Sequence, residues 1–213
     1  MKKLLGILVL GLLWCNIGHT ESKWKIEEDQ KYFQVRKEGT IQKGDHLTFL
    51  ISKNDCNAIE QTFTFYTLTK NPSIKQIENT KVGVSTLGQN MLFDLKYVIS
   101  AKPSMSGYIA LISAGVYPIE MLLEFLSKHE ELDVKLKYIF SDFENKTGWT
   151  GKRNASDFFD ILENKWKLAG MSEAIKEAQS KCLKLKNYLY FYLSILNEYQ
   201  NLLLRLVVQK NFK

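Results

Sequence analysis

Between residues 24 and 112 apolar and polar side chains alternate, which is the period of a half-buried β-strand. Leu47, Phe49 and Ile51 alternate with Thr48 and Leu50, Phe63 and Phe65 alternate with threonines across 62–67, and Phe93, Leu95, Tyr97 and Ile99 alternate with Asp94 and Lys96. Turn-forming residues separate these runs at Gly39, at Gly44 and Asp45, at Asn54 and Asp55, at Asn71 and Pro72, at Gly88 and over 103–107. Short strands without helices between them predict an antiparallel sheet. The pattern breaks at Pro118, where Ile119, Leu122, Leu123 and Leu126 form one stripe opposite Glu124, Lys128 and Glu131, so residues 118–131 are expected to form an amphipathic helix over the sheet. Val134, Leu136 and Tyr138 restart a strand, 141–154 has loop chemistry, and 158–168 complete the sheet with a last strand at 166–168. Gly170 and a Ser172 N-cap then open a second helix, whose Ala174, Ile175 and Ala178 make a face narrow enough to lie close on the sheet.

The expected fold is therefore mainly β: an antiparallel β-sandwich or barrel-like domain with one amphipathic helix inserted and a long C-terminal helix. Its limits depend on the ends of the chain. Lys2 and Lys3 precede an apolar run from 4 to 15, which is shorter than the roughly 20 residues that span a bilayer. Residues 1–20 read as a secretory signal peptide, with Gly18 and Thr20 before the cleavage point; lipidation at Cys15 would need a smaller residue than Trp14 ahead of it, and an uncleaved anchor is the third reading. Residues 21–182 then form one β-rich exported domain, since 45% hydrophobic and 12% aromatic content is enough to bury a single core. Residues 183–213 are a helical extension.

Removing the leader reduces three cysteines to two, Cys56 and Cys182, an even number suited to an oxidising compartment. A disulfide between them is expected, the alternative being two buried free thiols. The pair has neither metal-ligand nor CxxC redox spacing. The localisation that follows is periplasmic or secreted.

Charge changes the picture only in the tail. The chain holds 29 Lys and Arg against 23 Asp and Glu. Lys2 and Lys3 leave with the signal, and Lys184, Lys186, Arg205, Lys210 and Lys213 stand against Glu198 alone, so the segment between is neutral. A basic face for nucleic acid is excluded on this distribution. Cys182, Leu185, Leu189, Tyr192, Leu196, Tyr199, Leu203 and Leu206 follow a three-four spacing along the tail. Three readings remain for this seam: packing on the domain or on a second copy as a homodimer, peripheral membrane contact through 183–213, and an extension without function.

Trp166, Leu168, Gly170, Ala174, Ile175, Ala178 and Cys182 form a run that resembles the closing segment of small exported bacterial β domains such as the invasion-associated locus B family. The resemblance covers fewer than 25 residues, lacks a matching cysteine pattern upstream, and implies periplasmic residence without a defined activity.

Candidate chemistry is sparse. No GxSxG, HExxH or phosphate-cradling glycine loop is present, and no cofactor or metal is expected. His129 beside Glu130 and Glu131 makes no ligand trio, because adjacent helix positions do not face each other. Asp157 with Asp160 is the carboxylate pair that a hydrolase reading would use, against the alternative of a solvated turn. The binding candidates are Trp149, Lys152 and Arg153, where a Trp between glycines with basic neighbours could stack on a ring or grip an anion; the alternative is a hairpin whose Trp folds onto the sheet. The functional expectation is an exported non-enzymatic domain that binds a protein or envelope component. The alternatives are an envelope hydrolase with an unrecognised carboxylate site and a membrane-surface protein using its C-terminal helix.

Overall fold

The computed structural model describes residues 23–68, 73–101, 106–141 and 151–188, together with 192 and 196. Among them ten strands, β1 (Lys25–Glu28), β2 (Tyr32–Glu38), β3 (His46–Ser52), β4 (Ala58–Thr67), β5 (Thr80–Thr86), β6 (Gln89–Ser100), β7 (Tyr108–Pro118), β8 (Glu131–Ser141), β9 (Gly151–Asn154) and β10 (Glu163–Lys167), form a single antiparallel sheet. Its order is β1-β2-β3-β4-β7-β6-β5-β8-β10, with β9 on the free part of β8. The mainly β, antiparallel expectation holds. Among the described residues there is one sheet in place of a sandwich's two, and its strand order ends at β1 and β10.

Inward side chains follow the alternation read from the sequence. Leu47, Phe49 and Ile51 on β3, Ile59, Phe63 and Phe65 on β4, Ile112 on β7, Leu95 on β6, Val82 on β5 and Ile139 on β8 are all buried. Each such side chain contributes roughly 1.5–3 kcal/mol when removed from water. Trp166 on β10 reaches Phe63 and Phe65 on β4, at ring-centroid distances of 5.6 and 6.4 Å. These strands stand far apart in the sheet order, so the contact requires the sheet to curl back over its own inner face.

The curl brings the β2–β3 loop against β10. Thr40 N–H donates to Lys165 O at 2.9 Å, and Ile41 N–H donates to Asn164 Oδ1 at 3.0 Å. Asn164 in turn donates to Asp45 Oδ2 at 2.9 Å and to Gln42 O at 3.1 Å, while Tyr66 N–H donates to Asp45 Oδ1 at 2.7 Å. Gly39 is required beside this network, because a Cβ there would come within 2.2 Å of the Asn164 amide nitrogen.

Burial raises the Asp45 carboxyl from 3.8 to about 6, against the lowering effect of the Tyr66 and Asn164 hydrogen bonds. Between these values the folded chain binds a proton that the unfolded chain has released, so this group's contribution falls as pH rises from about 4 to 6 and is constant outside that window. The loss is on the order of 3 kcal/mol for a shift of about two units. Burial lowers the His46 pKa, which works in the opposite direction below the ordinary imidazole value of 6.5. The check is therefore a comparison of urea unfolding across pH for the native chain and Asp45→Asn. The variant is expected to lose the downward component between pH 4 and 6, whatever its absolute stability, and parallel curves would refute the assignment.

Helix α1 (Ile119–Leu126) is shorter than the expected 118–131 and has Pro118 as its N-cap. It ends early because Glu131 and Leu132 are taken into the ladder opposite Lys167 and Trp166. The last strand, expected at 166–168, is Glu163–Lys167, and the start of the stretch expected to complete the sheet is not strand: Phe158 and Phe159 are buried beside a 3₁₀ turn, Ala155–Asp157. Helix α2 runs from 171, so Ser172 lies in its first turn and not at its N-cap; Gly170 supplies the left-handed turn before it, at φ 77°. Met171, Ala174, Ile175, Ala178 and Cys182 form its buried face. Cys182 is bonded to Cys56 in the β3–β4 turn.

Candidate functional site

The one irregularity in the long β4–β7 ladder builds the candidate site. Gln61 pairs with Gly115 and Thr62 with Ser113, which leaves Ala114 as an extra residue on β7. Such bulges re-aim the chain. Gly115 takes φ 124°, in the region that only glycine enters without strain. A Cβ at Gly115 would stand 3.2 Å from the Tyr117 hydroxyl, which donates to Ala114 O at 2.6 Å. The Tyr117 ring therefore closes over a position with no side chain, and space remains between the sheet and α1.

This space is a cavity of about 300 Å³. Its floor is Gln61, Phe63 and Phe93, its sides come from Thr86 and Leu87 of the β5–β6 hairpin and from Leu132, and its roof is Leu122 and Leu126 of α1. Met91, Met121 and Phe125 form the rim. Met121 and Phe125 are respectively 53% and 48% exposed, on the side of α1 turned away from its buried Ile119, Leu122 and Leu126. Among the described residues that line it there is no Lys, Arg, His, Asp or Glu. Apolar hollows of about 300 to 1,000 Å³ with a few polar groups are the usual form of small-molecule sites.

No protein-family model, curated protein or solved structure matches this chain. The site must be judged from its own geometry.

The residues singled out in the sequence lie elsewhere. Adjacent strand residues point to opposite faces, and on β9 Lys152 and Arg153 are drawn apart accordingly. Lys152 Nζ stands 3.4 Å from the centroid of Tyr138, at a hollow on the outer face lined also by Gly83, Phe140 and Lys137, while Arg153 stacks 4.4 Å from the Phe158 ring. They do not converge on one anion. Trp149 lies outside the described residues, as do residues 1–20, the expected signal peptide. Asp160 caps the end of β4: its Oδ2 accepts from Leu68 N–H at 2.6 Å and from the Thr67 hydroxyl at 2.9 Å. His46 faces Thr64, with ring Nδ1 3.4 Å from the hydroxyl, and His129 packs on Phe125 with ring centroids 5.6 Å apart. Among the described residues no three His, Cys, Asp or Glu side chains gather in a way that could hold a metal ion.

The tail is described only at its start. Cys182 is buried and Leu185 packs at the margin of the core, whereas Tyr192 and Leu196 of the same seam are 67% and 48% exposed. The rest of the seam lies outside the described residues. No described helix is long and apolar enough to cross a membrane.

Sequence reading missed the cavity, although one signal pointed to it. Ile59, Gln61, Phe63 and Phe65 occupy one face of β4, so Gln61 is a polar residue in an apolar register. The bulge at Ala114 leaves no comparable mark in the hydrophobic pattern.

Proposed function

We propose that the chain is an exported, non-enzymatic β domain that binds a small apolar component of the envelope in the cavity beneath α1. The observation that carries this reading is the cavity itself: an uncharged hollow of ligand size, opening through exposed Met121 and Phe125. Export is supported by the leader-like residues 1–20 and by a Cys56–Cys182 bridge, a pairing that persists in oxidising compartments. The resemblance of 166–182 to exported β domains of the invasion-associated locus B type points to the periplasm in the same way. A hydrolase reading would need a carboxylate at the cavity wall, and none lines it. A second contact is favoured by the exposure of Tyr192 and Leu196, which suits peripheral attachment of 183–213 to a membrane or to a second copy.

Calorimetric titration with octan-1-ol tests the binding reading. Saturable one-to-one binding with a sub-millimolar Kd is expected, given the usual free energy per heavy atom of a ligand this small. Met121→Glu sets a carboxylate at the rim without disturbing the core and should weaken binding by about ten-fold or more, because a charge beside an apolar ligand must be desolvated. No saturable heat with the native chain would remove the proposal.

A further inference from the structure

We infer that the cavity selects an uncharged molecule of about ten heavy atoms carrying one carbonyl, amide or hydroxyl group, which pairs with the side-chain amide of Gln61. The inference rests on the reading of the cavity as a binding site and adds the chemistry of its ligand.

Gln61 is 7% exposed, lies in the inward register of β4 between Ile59 and Phe63, and lines the cavity. Its amide makes no hydrogen bond within the described residues, although it carries two donors and an acceptor. The amide is reached through the cavity and is not sealed in the core, so its donors and acceptor are available to a molecule that enters. A second open group stands nearby: the Thr86 hydroxyl is buried without a partner on the same wall. The neighbouring hydroxyls are already committed. Tyr117 donates to Ala114 O, Thr62 donates to Thr48 O at 3.2 Å, and Ser113 donates to Glu60 Oε1 at 2.6 Å. The ligand's polar group therefore has the Gln61 amide and the Thr86 hydroxyl as its partners.

The same wall argues against charge. With no cation or anion lining it, an ionised head group would lose its hydration and gain no counter-charge. A neutral amide can instead exchange a donor and an acceptor with Gln61. Size sets the other limit: 300 Å³, at the roughly 30 Å³ that one water-sized group occupies in a liquid, holds on the order of ten heavy atoms. Across the ladder from Gln61, Gly115 leaves room for the Tyr117 ring, which is itself part of the cavity wall.

The test compares octanamide, octanoate and propylbenzene by calorimetry at pH 7 on the oxidised chain and on Gln61→Leu, with octan-1-ol as the reference for the cavity. The native chain should bind octanamide at least about 30-fold more tightly than octanoate, the ionised head group being the only difference in size-matched probes. In Gln61→Leu octanamide should weaken by about ten-fold or more while propylbenzene strengthens, a reversal that loss of folding cannot mimic. Equal binding of octanamide and octanoate by the native chain, or an unchanged octanamide affinity in Gln61→Leu, would overturn the selection while leaving the cavity reading in place. If octan-1-ol binds but octanamide does not, the selection is likewise overturned. Failure of every probe, octan-1-ol included, would overturn the cavity reading itself.

Discussion

Reduction of the Cys56–Cys182 bond is expected to lower the melting temperature by about 8–20 °C. The two cysteines are separated by 126 residues. Closing a loop of that length removes enough freedom from the unfolded chain to stabilise the fold by about 4–5 kcal/mol. In a chain of this size each kcal/mol moves the midpoint by about 2–4 °C. The bridge also ties α2 to the β3–β4 turn at its far end, so the reduced form should lose protection first over the end of α2 beyond its buried Met171, Ala174, Ile175 and Ala178, where Lys186 Nζ donating to Asn54 O at 3.4 Å is the remaining tie to that turn. The measurement is a thermal scan with and without reductant, beside a Cys56→Ala/Cys182→Ala double variant that reductant should not affect. Two reactive thiols in the unfolded, unreduced chain would contradict the bridge.

Replacing Trp166 by Ala is expected to cost about 3–5 kcal/mol in urea unfolding, the range for a large aromatic removed from a core. Trp166 is wholly buried, and its ring meets Phe63 and Phe65 of β4, with Phe93 stacked on Phe63 at 5.9 Å. It is the contact through which the curled sheet closes on itself, so a void there opens the core between β4 and β10. Trp166→Phe should cost much less than Trp166→Ala. Its ring retains most of the packing, and it removes an indole N–H that is buried without a partner, which offsets part of the lost area. Equal costs for Phe and Ala would mean that the aromatic cluster does not hold β10 in place.

Strand existence was legible because a sheet with one buried face imposes strict alternation, and β3, β4 and β6 obey it. Leu47, Phe49 and Ile51 could hardly be read otherwise. Strand order was not legible, since the β5-β6-β7 meander returns to pair β7 with β4 through contacts that no local pattern encodes. The helix ends failed where tertiary pairing won: Glu131 has helical company in the sequence but a strand partner in Lys167. The disulfide followed from arithmetic on the cysteines once Cys15 was assigned to the expected signal peptide. The cavity lies beside an extra residue at Ala114 and a Tyr117 ring that folds over Gly115, and a single glycine in a β-rich stretch does not announce a bulge.

Methyl resonances of the methionines test the central claim, that the space under α1 is a binding site, most directly. Met91 and Met121 sit at its rim, whereas Met171 is buried on α2 and does not line it. With methionine-methyl labelling and a titration of octan-1-ol, the Met91 and Met121 signals should shift together along one saturation curve while Met171 stays in place. Shifts that leave Met91 and Met121 unmoved, or that move Met171 equally, would contradict it.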